Sequence, residues 1–498
     1  MIGIGVESEI GRLLAEMPFD HPREACGVFG IVAPGLDVAR ITYFGLYALQ
    51  HRGQESAGIA AASGDAGAEL RVHTRMGLVA TAFDEQILQS LTGTLAIGHT
   101  RYSTTGSSVA CNAGPVLAHS DLGPIAVAHN GNLTNAALLR AELEASGETF
   151  ETSTDSEVLT RVIARAHGVT MGERIRAAME RFEGAYSLAI LTPTAVFAVR
   201  DPLGLRPLSI GRLDGGWVVA SETCALATTG AAFVRDVAPG EVVQITAAAG
   251  PESLSLKPGA RDALCVFELI YFARPDSKMG GERIHLLRQR MGEELAREHP
   301  ADADIVVPLP DSAIPAGIGY ARESNLPYSE ALIKNRYIGR TFIQPDQHLR
   351  EVGIALKFNP LPEVLEGQRV VLVDDTIVRG TTSRPIVQLL RDAGAKEVHM
   401  RVHAPPILWP CFMGVDFASR SELIAARFDA DVAEIGRQIG VDSLAYLSLD
   451  GLFRAIGQSR NGFCTACLTG EYPVPLYDVA SKFVLERPLI GAVGHAAR

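Results

Sequence analysis

Residues 370–382 read VVLVDDTIVRGTT, and this stretch decides how the second half of the 498-residue chain folds. The apolar run 370–373 reads as a buried strand. It ends at two adjacent carboxylates, Asp374 and Asp375. Arg379, Gly380, Thr381 and Thr382 follow, and then a helical pattern begins. A strand that opens through a Gly/Thr loop into a helix makes an anion cradle, because free N–H groups and the helix dipole point at the ligand. Two carboxylates beside it would repel a bare phosphate. They fit if they hold sugar hydroxyls, or a Mg2+ that bridges to further phosphate. The pattern therefore points to a phosphorylated ribose. An acidic turn before an ordinary capped helix is the bland alternative at this length.

Outward from this stretch, strand and helix alternate. A helix over 282–298 leads to the strand 303–310, a helix from about Ser312, the strand 370–373, a helix, and the strand 397–404. This rhythm predicts a parallel, doubly wound sheet with ligands at the carboxyl ends of its strands. The segment 247–262, AAAGPESLSLKPGARD, breaks the pattern and reads as a linker. Before it, short strands (26–33, 94–99, 125–130, 185–191, 195–200) mix with helices at 41–50 and 133–146. That half reads as two packed antiparallel sheets flanked by helices.

The bulk numbers set limits. With 47% hydrophobic residues the chain can build two or three substantial cores. A net charge of −12 argues against a general nucleic-acid binder. No run of 18 apolar residues suggests a membrane span. The first 25 residues carry five acids against Arg12 and Arg23 and do not read as a secretory signal. Seven cysteines, an odd and sparse set, fit reduced cytoplasmic thiols with metal or catalytic roles.

Cys26 opens CGVFGI, where a small apolar residue would be ordinary. Three other motifs suggest more. Arg101 in RYSTTG can hold a carboxylate. Asn130 and Gly131 in HNGN, at a strand end, can form an oxyanion hole. Asp155 in TSTDSE can hold an amine, although Thr154 and Glu157 also read as a capping box that makes an acid there unremarkable.

Together CGVFG, LQHRGQESAG, HTRYSTTG, AHNGNL and TDSE resemble, in family order, the glutaminase domain of N-terminal-nucleophile amidotransferases. The resemblance implies that Cys26 becomes the first residue after removal of 25, with its α-amino group as general base. It also implies that Arg101 and Asp155 hold the two ends of glutamine, while Asn130 and Gly131 stabilise the tetrahedral oxyanion.

The 370–382 segment resembles the phosphoribosyl-pyrophosphate (PRPP) loop of type I phosphoribosyltransferases. By the same resemblance Ser312, in LPDSAIPAG, joins Asp374 and Asp375 at a Mg2+ site. Residues 334–351, KNRYIGRTFIQPDQHLRE, would be a basic lid over the diphosphate, with Lys334, Arg336, Arg340 and Arg350; a solvated loop is the plain alternative. The family usually carries an Arg-Met-Lys-like stretch after this loop. Ala355 stands here where arginine is expected.

Cys265, Cys411 and the pair Cys464-x-x-Cys467 match the iron–sulfur class of this family, which implies a [4Fe–4S] cluster on those four thiolates. Zinc on the same thiolates is the physical alternative. Cys111 and Cys224 have no partner motif and read as core thiols.

Both halves resemble the amidophosphoribosyltransferases over nearly the whole chain. The implied layout is a propeptide (1–25), an αββα glutaminase domain (26–255), a phosphoribosyltransferase domain (256–475) and a tail (476–498). The implied reaction moves ammonia from glutamine, through an internal channel, to C1 of PRPP as the committing step of purine synthesis. The implied assembly is a homotetramer or homodimer inhibited by purine nucleotides. The aminating hexose-phosphate isomerases share the first half but lack the VDDTIVRGTT loop. An RNA-binding regulator on the same transferase fold sits poorly with the acidic charge.

Overall fold

The strand Gly27–Val32 is buried along its entire length, and its alternation explains the first half of the molecule. Val28 and Val32 pack with Ala126, Ala128, Ala189 and Leu191. Phe29 and Ile31 pack the other way, with Val38, Leu46 and Leu49. A strand covered on both faces needs apolar residues at every position. In the computed structural model, which describes residues 26–103, 105–335, 357–416, 419–477 and 484–486, this strand lies inside a seven-stranded sheet. The order is Ala232–Asp236, Ser209–Leu213, Gly216–Ala220, Gly27–Val32, Leu95–Arg101, Ser56–Ala62, Arg71–Met76. A six-stranded sheet packs on it, in the order Gly250–Leu256, Glu241–Thr246, Val196–Arg200, Gly184–Leu191, Gly123–Leu133, Val116–Ser120. Neighbouring strands run antiparallel in both. The helix Val38–Ala48 covers the first sheet, and Asp155–Arg165 covers the second. This is the expected αββα sandwich.

Two readings change. The segment expected to be a linker contains the strand Gly250–Leu256, the edge of the second sheet, paired with Glu241–Thr246. Four of its seven side chains are exposed, so no buried face marks it in the sequence. The chain leaves the sheet only after Leu256. The strand that carries HNGN also runs on to Leu133 and does not stop at Asn130.

The second half holds a parallel sheet in which Ile305–Pro308, Arg369–Asp374, Glu397–Val402 and Ser443–Tyr446 are neighbours in chain order. A parallel bridge from Tyr328 to Val306 adds to the other edge. Chain order therefore reverses between Ile305–Pro308 and Arg369–Asp374, the 2-1-3-4-5 doubly wound arrangement. The crevice at such a reversal lies at the carboxyl ends of those two strands. Ser312 follows one end, and residues 374–382 follow the other.

Buried charges join the halves. Arg52 is fully buried; its Nε donates to Glu222 Oε1 at 2.5 Å, and its Nη2 pairs with Glu268. Arg206 Nη1 donates to Glu268 Oε1 at 3.2 Å. Glu222 also accepts from the Ser277 hydroxyl at 2.6 Å and the Arg274 backbone at 2.9 Å. Removing one member of such a network leaves an uncompensated buried charge, which typically costs about 3–5 kcal/mol.

The propeptide (1–25), Arg336, Arg340 and Arg350 of the basic segment, Ala355, and nearly all of the tail beyond Tyr477 lie outside the described residues. Among the described residues no helix is long and apolar enough to cross a membrane.

Burial holds His99 and His403 neutral, with pKa values pushed down to about 3 and about 4, and pushes the Asp201 carboxyl up to about 6. As pH falls below about 6.5 the unfolded chain binds protons at both histidines that the folded chain refuses, at about 1.4 kcal/mol per pH unit for each. Asp201 opposes this, because the folded state takes up its proton first. Two uptakes against one leave a net loss. The urea midpoint is expected to be lower at pH 5 than at pH 7; a higher midpoint at pH 5 contradicts the burial assignment.

Candidate active sites

Cys26 precedes the central strand of the first sheet and is buried. Its thiol donates to Tyr102 O at 3.3 Å, and Tyr102 N–H donates to Sγ at 3.4 Å. Burial pushes the thiol up to about 11, against the pull of the Tyr102 backbone and the Arg101 charge. The group is thus a neutral thiol at pH 7 and needs a base to become a nucleophile.

Arg101 closes the adjacent strand, Leu95–Arg101. Its guanidinium gathers the loop that follows: Nη2 donates to Thr105 O at 3.2 Å, and Nη1 to Ser107 O at 3.3 Å and Glu55 Oε2 at 3.4 Å. Glu55 braces the same loop by accepting from Ser103 N at 3.1 Å and Ser103 Oγ at 2.9 Å. Asn130 is fully buried, and both atoms of its side-chain amide lack a hydrogen-bond partner. An unpaired buried amide costs about 1–3 kcal/mol and calls for a missing partner. Gly131 has φ +152, and a Cβ there would run into the Ala185 backbone. Only glycine lets the strand turn its N–H at that point.

Asp155 begins the helix Asp155–Arg165 and accepts from Leu133 N at 3.0 Å, with His129 Nδ1 at 3.7 Å. It is therefore tied to the strand end that carries Asn130. Thr154 does cap the helix, accepting from Glu157 N at 3.2 Å. The reciprocal half of the capping box is absent: Thr154 N donates to Thr152 Oγ1 at 3.2 Å, and the Glu157 carboxylate accepts from Thr152 N at 2.7 Å. The loop competes for both partners. The full box occurs at Thr170 and Glu173. The structure thus sets Cys26 within reach of the charges of Arg101 and Asp155, and ties Asp155 to the strand that carries Asn130 and Gly131.

At the second crevice, Asp375 accepts from the Thr376 hydroxyl at 2.7 Å and from the Ser312 hydroxyl, while its own N–H donates to Asp374 Oδ1 at 2.8 Å. Both carboxylates are buried. Gly380 has φ +77, which turns the chain into the helix Ser383–Asp392 directly after Thr381 and Thr382. Arg379 Nε donates to Glu422 Oε2 at 2.9 Å. Lys334 was expected in a loop. It ends the strand Leu332–Lys334, paired with Phe358–Pro360, and its ammonium meets Asp311 beside Ser312. A cleft of about 380 Å³, lined by Pro310, Asp311, Ile314, Glu330 and Lys334, opens there.

Beneath the carboxylates lies a layer that no motif announced. Arg288 is fully buried and donates to Leu269 O at 2.9 Å and Ala273 O at 2.8 Å, with its charge acting on Asp375. His403 N–H donates to Asp374 O at 3.0 Å. An arginine within a helix and a histidine after a strand look ordinary in sequence; the fold gives them their place.

Three separate segments bring four cysteines near one another. Leu264–Cys265 pairs in parallel with Phe463–Cys464, which sets Cys265 opposite Cys464. Leu408 N and Trp409 N both donate to Cys467 O at 3.0 Å, which draws Cys411 close. Burial, and then the nearness of the other thiols, pushes Cys467 well up and Cys464 up to about 12. Arg206 lies alongside; burial disfavours its charge, and Cys265 and Glu268 restore it. Among the described residues no three His, Cys, Asp or Glu side chains stand so as to hold a metal ion. Cys224 is buried as expected. Cys111 is exposed instead, because it sits on the short turn Ala110–Asn112 outside both sheets.

Two domain families match the halves: a glutamine amidotransferase domain over residues 99–228 and a phosphoribosyl transferase domain over residues 284–404. The amidophosphoribosyltransferase of Synechococcus elongatus is 54% identical over 475 residues, spanning 94% of this chain and 95% of its own length. That of Archaeoglobus fulgidus is 50% identical over 456 residues, 90% of this chain and 98% of its own. Among solved structures, the glutamine PRPP amidotransferase of B. subtilis complexed with ADP and GMP is similar with a TM-score of 0.85 and 46% identity, over 91% of this chain and 98% of that one. With relatives about half identical along nearly its whole length, this chain belongs to the amidophosphoribosyltransferase family.

Proposed function

We propose that the two crevices divide the family reaction between them, with named residues in named roles. The reaction moves ammonia from glutamine to C1 of PRPP, giving 5-phosphoribosylamine, glutamate and diphosphate in the first step of purine biosynthesis. The observation that carries the division is the buried, unpartnered amide of Asn130, on the strand to which Asp155 is tied.

In the first crevice Arg101 binds the carboxylate of glutamine and Asp155 its ammonium. Cys26 Sγ attacks the amide carbon, and Asn130 with the Gly131 N–H takes the developing oxyanion. Among the described residues the Sγ is hydrogen-bonded only to the Tyr102 backbone. That supports a base from Cys26 itself: its own α-amino group, exposed by removal of residues 1–25. The thioester then releases glutamate to water, and the ammonia travels within the chain.

In the second crevice the 379–382 turn and the helix start cradle the ribose 5-phosphate, while Asp374 and Asp375 take the ribose hydroxyls. Lys334 moves from Asp311 to the diphosphate. Ser312, Asp374 and Asp375 form a hard oxygen set that suits Mg2+, since the hydroxyls now on Asp375 can rotate away. Mg2+ there would neutralise charge on the departing diphosphate.

The four cysteines are soft, mostly buried donors beside a buried guanidinium, and we assign them a [4Fe–4S] cluster with a structural or oxygen-sensing role. Zinc on the same four thiolates is the alternative occupant, and metal analysis of the anaerobically purified enzyme separates the two. Purine nucleotides of the kind found with the B. subtilis relative fit as feedback inhibitors, and a cytoplasmic homotetramer or homodimer fits the family.

Two tests follow from these roles. Cys26→Ala should abolish glutamine-dependent phosphoribosylamine synthesis and leave the ammonia-dependent reaction within about tenfold of wild type. Asp375→Asn should abolish both. Glutamine use by Cys26→Ala would end the assignment. Active, anaerobically purified enzyme should begin at Cys26 and contain iron and acid-labile sulfide. Active enzyme beginning at Met1, or free of iron, contradicts the corresponding role.

A further inference from the structure

The amide of Asn130 has no hydrogen-bond partner, so its direction is set by the backbone around it. That backbone is pressed from the other half of the molecule. Asn132 Nδ2 donates to Phe412 O at 3.1 Å, while its Oδ1 accepts from Thr105 Oγ1 at 2.6 Å. Gly414, with φ +95, lies so close to Gly131 that a Cβ on it would overlap the Gly131 backbone. Arg206 Nε and Nη2 donate to Met413 O at 3.2 and 2.8 Å. The same guanidinium is fully buried and is anchored on Glu268 through Nη1. A planar fork of this kind is something arginine supplies and lysine does not.

We propose that residues 412–414 are a strut that positions the Asn130–Gly131 turn for the glutaminase half-reaction, and that Arg206 holds the strut. The proposal rests on reading Asn130 and Gly131 as oxyanion donors. Such donors must stand 2.7–3.1 Å from the place where the oxyanion forms. A shift of this segment by an ångström removes them from range, while Arg101, on another strand, still binds the glutamine carboxylate. Cys411 directly precedes the strut, and its Sγ accepts from Met413 N at 3.3 Å. The thiol centre and the oxyanion turn therefore share one short segment, so Arg206 and Gly414 act as positioning residues and not as catalytic ones.

The experiment uses full-length, processed enzyme with Gly414→Ala, Arg206→Lys and Asn130→Ala. Gly414→Ala is expected to lower kcat for PRPP-dependent glutamine hydrolysis about 10²-fold, with KM for glutamine within roughly threefold. Its ammonia-dependent rate should stay within about twofold of wild type, and its iron and acid-labile sulfide content should be unchanged. Arg206→Lys should give a smaller fall in kcat with the same pattern. A wild-type kcat in Gly414→Ala overturns the strut. So does a joint fall of the glutamine- and ammonia-dependent rates, or loss of iron and sulfide with the activity, since each means a merely structural role. Asn130→Ala separates the layers: a kcat near wild type overturns the oxyanion reading itself. A large fall in Asn130→Ala with none in Gly414→Ala overturns only the strut.

Discussion

Two arginines and two glutamates with no access to water hold the halves of this molecule in a single register. Arg52, Glu222 and Arg206 belong to the sandwich; Glu268 belongs to the parallel-sheet half and pairs with both arginines, while Glu222 supplies the second negative charge. In such a network desolvation consumes much of the attraction, so its net contribution to stability is small. Its effect is on geometry. Any sliding of one half over the other would strand a full charge in a dry interior. Arg52 lies in the loop whose Gly53 abuts Thr100 and Arg101, and Arg206 carries Met413 and stands beside the cysteines. The glutaminase wall, the thiol centre and the transferase sheet are thus held against each other by one charge-balanced cluster.

The second site follows from chain order. Strands laid 2-1-3-4-5 leave a crevice where the order reverses, and the chain delivers Ser312 from one lip and Asp374 to Thr382 from the other. Adjacent buried carboxylates repel each other. Hydroxyl donors above Asp375 and the buried charge of Arg288 below it offset that repulsion. Under the proposed roles these carboxylates would serve as oxygen ligands for sugar or cation, which is the chemistry a phosphoribosyl donor requires.

Much of this was legible in the residues, because short-range physics governs it. Strands such as Gly27–Val32 and Arg369–Asp374 are continuous apolar runs because both faces are covered. The Gly and Thr positions at 380–382 mark a turn into a helix wherever it lies. The misread elements are those governed by competition or by distance. Gly250–Leu256 hides as a linker because an exposed edge strand has no buried face to declare. The Thr154 box is half-formed because Thr152 takes the partner groups. Cys111 is outside because of where its turn sits. Lys334 lies on a short strand whose partner is beyond local reach. Arg206, Glu268 and Gly414 carry no local signal, since their partners lie 62 residues away or more.

Under the proposed roles, nitrogen released at Cys26 reaches C1 of PRPP without leaving the protein. The direct measurement supplies glutamine labelled with 15N at the amide, together with PRPP and an excess of unlabelled ammonium. It then follows the isotope in phosphoribosylamine under conditions where glutamine use dominates. Labelled product should then match the glutamate formed one for one, despite the ammonium pool. Product whose label matches the bulk ammonium would contradict it, because the two sites would then share only the solvent.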